Sequence, residues 1–439
     1  MSISYPFGRA TARTLRRVSA SIPIALALTV SVAAITSPAS AQQGQTLTLD
    51  DAITAAIDSD PGLQAANAGV DAASGGLRQA RVRPNPMLGV EVENFNGPGE
   101  LRGFDGAETT FTLSQEVELG GRRRARIRVA DLELHGAELD RVVRGLDLVR
   151  DVHVAYYDAL AAQELVEIER ERVVTAEALN TSVARRVGAA RDPLMAGARA
   201  EAALAEARIA LARAQADALT ARQQLASLTG LPEAFVLVAA DLGLPEIINH
   251  DHALSEEAPD VARALAERER AAANVRLERS LGYASPDLTI GYRRFEDRDG
   301  EGAFVAGFSI PLGVFNQNRG AVDRAQAEAR RAELELEARR RAIAREFASL
   351  QREIATDAEA IRRIESDVIP QAERALNLAR EGYDRGAFSY LDVLDAQRSL
   401  TDARQRRIDT LRSYHTNEAT LDRLTARFVE SMPNQEIHQ

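Results

Sequence analysis

The chain has no cysteine, no tryptophan and no lysine among its 439 residues. Without cysteine it can form no disulfide, no thiolate metal site and no lipid-modified cysteine, and it has no cysteine nucleophile. Aromatic residues make up only 5% of the chain, which is little for a thick globular core. After the N-terminal region, no stretch approaches the roughly 18 consecutive apolar residues of a membrane-spanning helix. Long, thin pairs of Ala- and Leu-rich helices fit this composition better.

The N-terminus has the order of features typical of a secretory signal. Four arginines precede an apolar run from Ile22 to Ile35, and Ala39-Ser40-Ala41 follows as a small-residue cleavage motif. The run is too short to anchor the chain in a membrane, so the sequence predicts export and removal of residues 1–41. Removal takes away four arginines and no acidic residue, which changes the formal net charge from −11 to −15. Such an acidic chain is a poor partner for nucleic acid.

Two stretches depart from the helical pattern of the rest. Apolar residues alternate with small, polar or charged ones at about 87–95 and 110–119, which predicts two strands joined as a hairpin. Glu91, Glu93 and Glu116 fall on the polar side of this alternation, as does Glu118. Because a lone hairpin is marginally stable in water, we expect it to have a partner.

The same order of elements occurs twice along the chain. Each half has a proline, two strands, a long helix, a glycine break and a further helix, and the second strand pair is expected at about 287–295 and 303–312. Leu225 and Leu421 end the two halves at a constant offset of 196, which indicates a duplication. The predicted organisation is a signal peptide at 1–41, a first repeat at 42–232, a connector at 233–252, a second repeat at 253–428 and a C-terminal tail at 429–439.

The helical segments are too long for one compact domain. One helix is predicted from Leu49 toward Arg83, and another runs without proline from about Arg122 to Val187. At 1.5 Å per residue the second helix is about 100 Å long. It must belong to a coiled coil or a projecting bundle.

The four strands have the length and alternation of membrane-spanning strands in an outer-membrane barrel. A soluble sheet packed on one face remains the alternative. Four strands cannot close a barrel, so oligomerisation is expected, with three chains supplying twelve strands and no free edge. In that arrangement Glu91, Glu93, Glu116 and Glu118 would line a water-filled, negatively charged passage.

The C-terminal motif from Gly382 to Ala396, with Gly382-Tyr383-Asp384-Arg385-Gly386-Ala387-Phe388 at its start, resembles the TolC family of outer-membrane efflux proteins. The resemblance implies a mainly α fold with membrane β structure. Long coiled-coil helices form a periplasmic α-barrel, and four strands per chain contribute to a twelve-stranded trimeric β-barrel. Arg83-Pro84-Asn85-Pro86 and the stretch from Leu113 to Arg124 resemble the cobalt–zinc–cadmium branch.

The resemblance also implies the function and partners. The chain would be the outer-membrane exit duct of a tripartite system, surrounded by outer-membrane lipid. It would passively conduct substrate, in this branch divalent heavy-metal cations, from an inner-membrane resistance–nodulation–division pump through a periplasmic adaptor (membrane fusion) protein. No enzymatic activity and no cofactor are expected. The alternatives are a multidrug or type I secretion duct, and a soluble periplasmic coiled-coil scaffold.

By the same resemblance, the periplasmic aperture is formed by Asp392, Asp395 and Tyr383. Asp392 and Asp395 are three residues apart and lie on one helix face, so threefold symmetry would place them in two rings that attract cations. Alternatively, both are N-terminal helix acids stabilised by the helix dipole. Phe388 occupies a position where some relatives carry an arginine, which puts a salt-bridge latch in doubt.

The helix turns are the predicted contact with the adaptor. Val187, Gly188 and Ala189 represent the first turn, and Gly386 and Ala387 represent the second. The spacing from each turn to the end of the following helix leaves Ala190 as an alternative counterpart of Gly386. The glycines could equally be simple helix caps.

The six histidines are scattered along the chain. His250-Asp251-His252 is the one cluster of metal-ligand types in the sequence, and it lies in an acidic connector where such residues are usually solvated. The sequence therefore predicts no metal site.

Overall fold

The computed structural model describes residues 45–238, 242–243 and 258–427. The predicted signal peptide, most of the connector with His250-Asp251-His252, and the C-terminal tail lie outside the described residues. The described chain is mostly helical. Its helices are α1 (Leu49–Ser59), α2 (Pro61–Arg81), α3 (Arg122–Gly188), α4 (Leu194–Thr229), α5 (Pro259–Leu281), α6 (Arg319–Arg363), α7 (Ile369–Asp384) and α8 (Tyr390–Thr425).

The strands form two sheets. They are β1 (Gln45–Leu47), β2 (Met87–Glu93), β3 (Glu108–Glu116), β4 (Phe235–Leu237), β5 (Asp287–Phe295) and β6 (Gly302–Ser309). A small parallel sheet pairs β1 with β4, and a four-stranded antiparallel sheet has the order β2–β3–β5–β6. Both predicted hairpins are therefore present, and β3 and β5 join them into one sheet. The parallel pair was not predicted, because three residues are too few for a period to be recognised.

Strand ends differ from the predicted ones. The strand predicted at 110–119 is found at Glu108–Glu116, so Glu118 lies outside it. Its partner β5 begins at Asp287, and the last contact is a hydrogen bond from the Val117 N–H to the carbonyl of Pro286. The strand predicted at 303–312 ends at Ser309, where the pairing with Asp287 stops.

The first predicted helix is broken in two by Pro61. The residue before a proline is restricted to extended backbone, and Asp60 has φ −67° and ψ 117°. Its carboxylate then caps α2 by accepting a hydrogen bond of 2.6 Å from the Leu63 N–H. Similarly, Pro370 lacks an N–H for the helical ladder, and the residues Ile364–Val368 between α6 and α7 form a π-helical turn.

The apolar core lies between the helices. The main buried cluster is formed where α1, α3, α4, α6 and α8 pack together, and its largest fully buried members include Tyr156, Leu148, Leu160, Leu225, Leu411 and Leu421. A second cluster lies at the far end of α3, where the turns α3–α4 and α7–α8 meet. With 67 residues, α3 is about 100 Å long and connects the sheet region with these turns.

One face of the four-stranded sheet is apolar and exposed. Register places Val90, Phe111, Tyr292 and Phe304 in one row across the strands, and Leu88, Leu113, Ile290 and Ala306 in the next. Phe304 is 91% exposed and Phe308 74% exposed. Among the described residues β2 and β6 are the edge strands. None of the described helices is long and apolar enough to cross a membrane.

Gly291 is required where β5 passes β3. A Cβ at this position would lie 2.5 Å from the carbonyl oxygen of Phe111, whereas a Cβ at Gly307 on β6 would have no atom of the same chain outside its adjacent residues within 4 Å. We expect Gly291→Ala to destabilise the sheet by about 1–3 kcal/mol and Gly307→Ala to be tolerated. Thermal unfolding midpoints in detergent test this. Equal midpoints for the two variants would contradict it.

Candidate functional site: the helix turns and the polar sheet face

The two helix turns have the same backbone geometry. Ala190, with φ 54°, and Gly386, with φ 78°, are both left-handed, and each lies two residues beyond the end of its helix. The N–H groups of Ala190 and Gly386 donate to the carbonyls of Val187 and Tyr383, respectively. The offset between Ala190 and Gly386 is 196, the same as between the C-terminal leucines. Ala190, rather than Gly188, is therefore the conformational counterpart of Gly386.

Most residues of the two helix turns are exposed. Gly188, Ala189, Gly386 and Ala387 are exposed, and Val187 is half-buried. Gly188 is the last residue of α3 and has ordinary helical geometry, whereas the left-handed cap is made by the alanine two positions later. The glycine-cap alternative therefore applies to Gly386 but not to Gly188.

Tyr383 is held by two residues of the other turn. Its hydroxyl donates to Asp192 at 2.7 Å, and Arg186 bonds Asp192 at 3.0 Å. Arg186 also donates to the Tyr383 carbonyl at 2.8 Å, and its guanidinium lies 4.5 Å from the centre of the Tyr383 ring. We call Arg186, Asp192 and Tyr383 the tip cluster. It ties the α3–α4 turn to the end of α7.

The charge states of the tip cluster follow from these contacts. The hydrogen bond from Arg186 holds the pKa of Asp192 below its ordinary value of 3.8, so this carboxylate is ionised at neutral pH. Burial, and then the adjacent Asp192, raise the pKa of Tyr383, so its hydroxyl remains a donor. Arg186 and Asp192 were not predicted as site residues, since only the folded turn shows that they meet Tyr383.

The second turn closes in a different way. At the offset of 196, Gly382 and Phe388 occupy the positions of Arg186 and Asp192. A Cβ at Gly382 would lie 2.1 Å from the Phe388 ring, so the ring packs directly on the glycine. An ion pair therefore closes one turn and an aromatic contact closes the other.

Asp392 and Asp395 are exposed at the start of α8, but their roles differ. Asp392 accepts hydrogen bonds of 2.7 Å from both the N–H and the hydroxyl of Ser389 and completes a capping box. These bonds lower its pKa. The alternative interpretation as a helix-terminal acid thus describes Asp392. Asp395 is exposed outside this motif, with Asp402 and Asp409 exposed at intervals of seven on the same helix face.

Most of the predicted lumen acids are ion-paired. On the polar face of the sheet, Arg293 bridges Glu93 at 2.9 Å and Glu108 at 2.7 Å. Glu116 pairs with Arg122 at 3.3 Å. Glu118, which lies past the strand end, pairs with Arg126, and its side chain is 8% exposed. Glu91 lies on this face in the row of Thr110 and Arg293. The arginines therefore offset part of the negative charge that the sequence predicted for this face of the sheet.

Comparison with known proteins connects this architecture to one family. A sequence profile for the family described as outer membrane efflux protein matches residues 52–231 and 252–427. The cobalt-zinc-cadmium resistance protein CzcC of Cupriavidus metallidurans is 33% identical over 391 residues, covering 87% of this chain and 90% of that protein. The nickel and cobalt resistance protein CnrC of the same organism is 32% identical over 284 residues, covering 63% and 68%.

Solved structures share the fold. The crystal structure of the channel protein CusC matches with a TM-score of 0.72 and 21% sequence identity, covering 86% of this chain and 91% of that one. At this level of identity the match concerns the fold alone. The mainly helical, TolC-like chain fold predicted from the sequence is thereby confirmed.

The tip cluster makes a prediction for local stability and its pH dependence. Asp192→Asn removes the ion pair with Arg186, and a hydrogen bond to a charged group contributes about 1.5–3 kcal/mol. We therefore expect hydrogen exchange at the amides of residues 189–191, corrected for intrinsic rates, to be roughly 10- to 100-fold faster at pH 7. Because folding lowers the pKa of Asp192, the stabilisation by its ion pair is complete above pH 3.8 and is lost as the pH falls through the pKa of the folded state. The exchange rates of the wild type and the variant should therefore converge in acid.

Glu381→Gln is the matched control for this prediction. Glu381 lies at the same level and pairs with Arg385 at 3.5 Å, but both side chains are exposed, and such pairs contribute little. Exchange that is equally fast in both variants, or a difference that persists in strong acid, would contradict the role of Asp192.

Proposed function

Since this chain belongs to the outer membrane efflux protein family, we propose that it is the exit duct of a tripartite efflux system for divalent heavy-metal cations. As an outer-membrane efflux channel it needs no chemistry of its own. In the proposal it works as a homotrimer that passively conducts cargo delivered by an inner-membrane resistance–nodulation–division pump through a periplasmic adaptor. Export by the predicted signal peptide at 1–41 belongs to the same proposal.

The observation that carries the proposal is the four-stranded sheet. Its exposed apolar rows across β2, β3, β5 and β6 have the lipid-facing character of an outer-membrane barrel strand, and the opposite face is polar. Among the described residues β2 and β6 are edge strands with one unpaired side, and such edges require partners in a membrane. Three copies would supply twelve strands and leave no edge. A soluble coiled-coil scaffold gives no reason for this exposed apolar face.

The duplicated organisation supports the same arrangement. The shared turn geometry at Ala190 and Gly386, at the offset of the C-terminal leucines, favours two repeats at 42–232 and 253–428 with a connector between them. In a trimer the two helix turns of each chain would form a ring of six. We propose that the two helix turns contact the adaptor through the exposed Gly188, Ala189, Ala190, Gly386 and Ala387 and the half-buried Val187.

Within this duct, the aperture is proposed at the same end. Asp395 with Asp402 and Asp409 gives each chain a carboxylate stripe along α8. Threefold symmetry would turn each position into a ring that attracts cations. Asp392 supports the ring as a helix cap, and the tip cluster with Tyr383 fixes the turn behind it. Glu91, Glu93, Glu116 and Glu118 are proposed to lie at or near the barrel lumen, with Arg293 offsetting part of their charge.

The aperture proposal predicts a change in ion selectivity. Asp395→Asn removes three charges per trimer without touching the capping box of Asp392. We expect a lower preference for cations over anions in planar-bilayer recordings, because a carboxylate ring concentrates cations. Glu381→Gln, an exposed acid of the same end, is the control and should leave selectivity unchanged. If Asp395→Asn conducts with unaltered selectivity, this residue does not line the aperture.

The cargo is tested in cells. Chromosomal deletion should cause hypersensitivity to zinc, cobalt and cadmium but not to organic drugs, because CzcC and CnrC are named as metal-resistance proteins. Complementation with the wild-type chain should reverse the hypersensitivity. Growth inhibition curves measure this. Hypersensitivity to organic compounds alone would instead support the multidrug or type I secretion alternative.

A further inference from the structure

We propose that His153, His415 and Glu418 form a buried binding site for a divalent transition-metal ion between α3 and α8. This goes beyond the proposed duct, since the ion would be held between two helices of one chain and not conducted. The sequence predicts no such site, because His153 and His415 are far apart along the chain and come together only in the fold.

The geometry of the three side chains carries the proposal. One ligand atom from each of the three residues lies within 4.8 Å of those of the other two. Nδ1 of His415 lies 3.2 Å from Oε2 of Glu418, because residues three apart share a helix face. His153 approaches from α3. His153 and His415 are 5% and 6% exposed, and the side chain of Glu418 is 12% exposed.

The donor set suits zinc or cobalt. Zn²⁺ binds imidazole nitrogen and carboxylate oxygen at about 2.0–2.2 Å, and two histidines with one glutamate leave a fourth position for water. Tetrahedral ligand atoms at these distances are about 3.3 Å apart, and the contact between His415 and Glu418 already has this spacing. Since the ligand atoms lie within 4.8 Å of one another, the third ligand needs to move inward by at most about 1.5 Å, which side-chain torsions allow.

Core packing alone does not account for the cluster. Tyr157 stacks on His415 with ring centres 3.7 Å apart, but stacking uses the ring face and leaves both nitrogens at the ring edge. Glu418 contacts Nδ1 at 3.2 Å, so Nδ1 is the atom of His415 that would ligate an ion beside this carboxylate. Such a combination of ligand-type groups in an apolar core favours an ion.

A bound ion would link α3 of the first repeat to α8 of the second. Because a ligand that binds the folded state stabilises it by mass action, the ion would strengthen this helix contact. Zn²⁺ should therefore raise the thermal unfolding midpoint of the wild-type protein, whatever cargo the duct conducts.

The test uses the full chain in detergent without a histidine tag. Zn²⁺ is titrated in competition with a chromophoric zinc indicator, and thermal midpoints are measured with and without Zn²⁺. We expect one tight site per chain in the wild type, and affinity weaker by roughly tenfold or more in His153→Gln and in His415→Gln. The midpoint shift should disappear in both variants. Co²⁺ should give the visible absorption of a tetrahedral complex in the wild type and in neither of these two variants.

His135→Gln is the matched control, because His135 is exposed on α3 and faces Glu138 at 3.6 Å without a second histidine. It should bind Zn²⁺ as the wild type does. Glu418→Gln keeps both imidazoles and the packing, so it reports on ligation if a histidine variant does not fold. Absence of a tight site in the wild type would overturn the proposal. So would tight binding that persists unchanged in His153→Gln, His415→Gln and Glu418→Gln.

Discussion

Backbone N–H and C=O groups at a sheet edge need hydrogen-bond partners, and in the hydrocarbon of a membrane no water is present to act as the partner. The chain meets this constraint for β3 and β5, which pair with each other and with their hairpin partners. It does not meet it for β2 and β6 within the described residues. An apolar face with open edges is stable only when further strands close it. In the proposed trimer, the ring of helix turns at the far end of the long helices depends on that closure.

The helix turns show how a duplicated fold can differ between its copies. Backbone geometry is the same in the two turns, down to the left-handed residue at Ala190 and Gly386. The side chains differ: Gly382 and Phe388 in the second copy occupy the positions of Arg186 and Asp192 in the first. The charged copy holds Tyr383 by its hydroxyl. A duct built from six such turns would alternate ionic and aromatic closures around its mouth.

The features that sequence predicted are those with local causes. Alternation of apolar residues placed both hairpins, and prolines and glycines placed the helix ends near Arg81 and Gly188 but not the break at Pro61. Strand ends at Glu116 and Ser309 were misplaced, since the partner strand decides where pairing stops. The contacts of Arg293 with Glu93, and of Arg186 with Tyr383, join distant parts of the chain. Periodicity carries no information about such pairs, and the meeting of His153 with His415 was missed for the same reason.

The central claim is that β6 of one chain pairs with β2 of the next in a closed ring of three. The absence of native cysteine makes a clean crosslinking measurement possible. Glu91→Cys on β2 can be combined in turn with Ala303→Cys, Val305→Cys and Gly307→Cys, which share the polar face of β6. Within one chain these strands are about 14 Å apart, which is too far for a disulfide. The account predicts that oxidation of membranes gives, for at least one pair, a covalent ladder ending at three chains, and none for the single variants. No crosslink for any pair, or a ladder ending at another number, would contradict it.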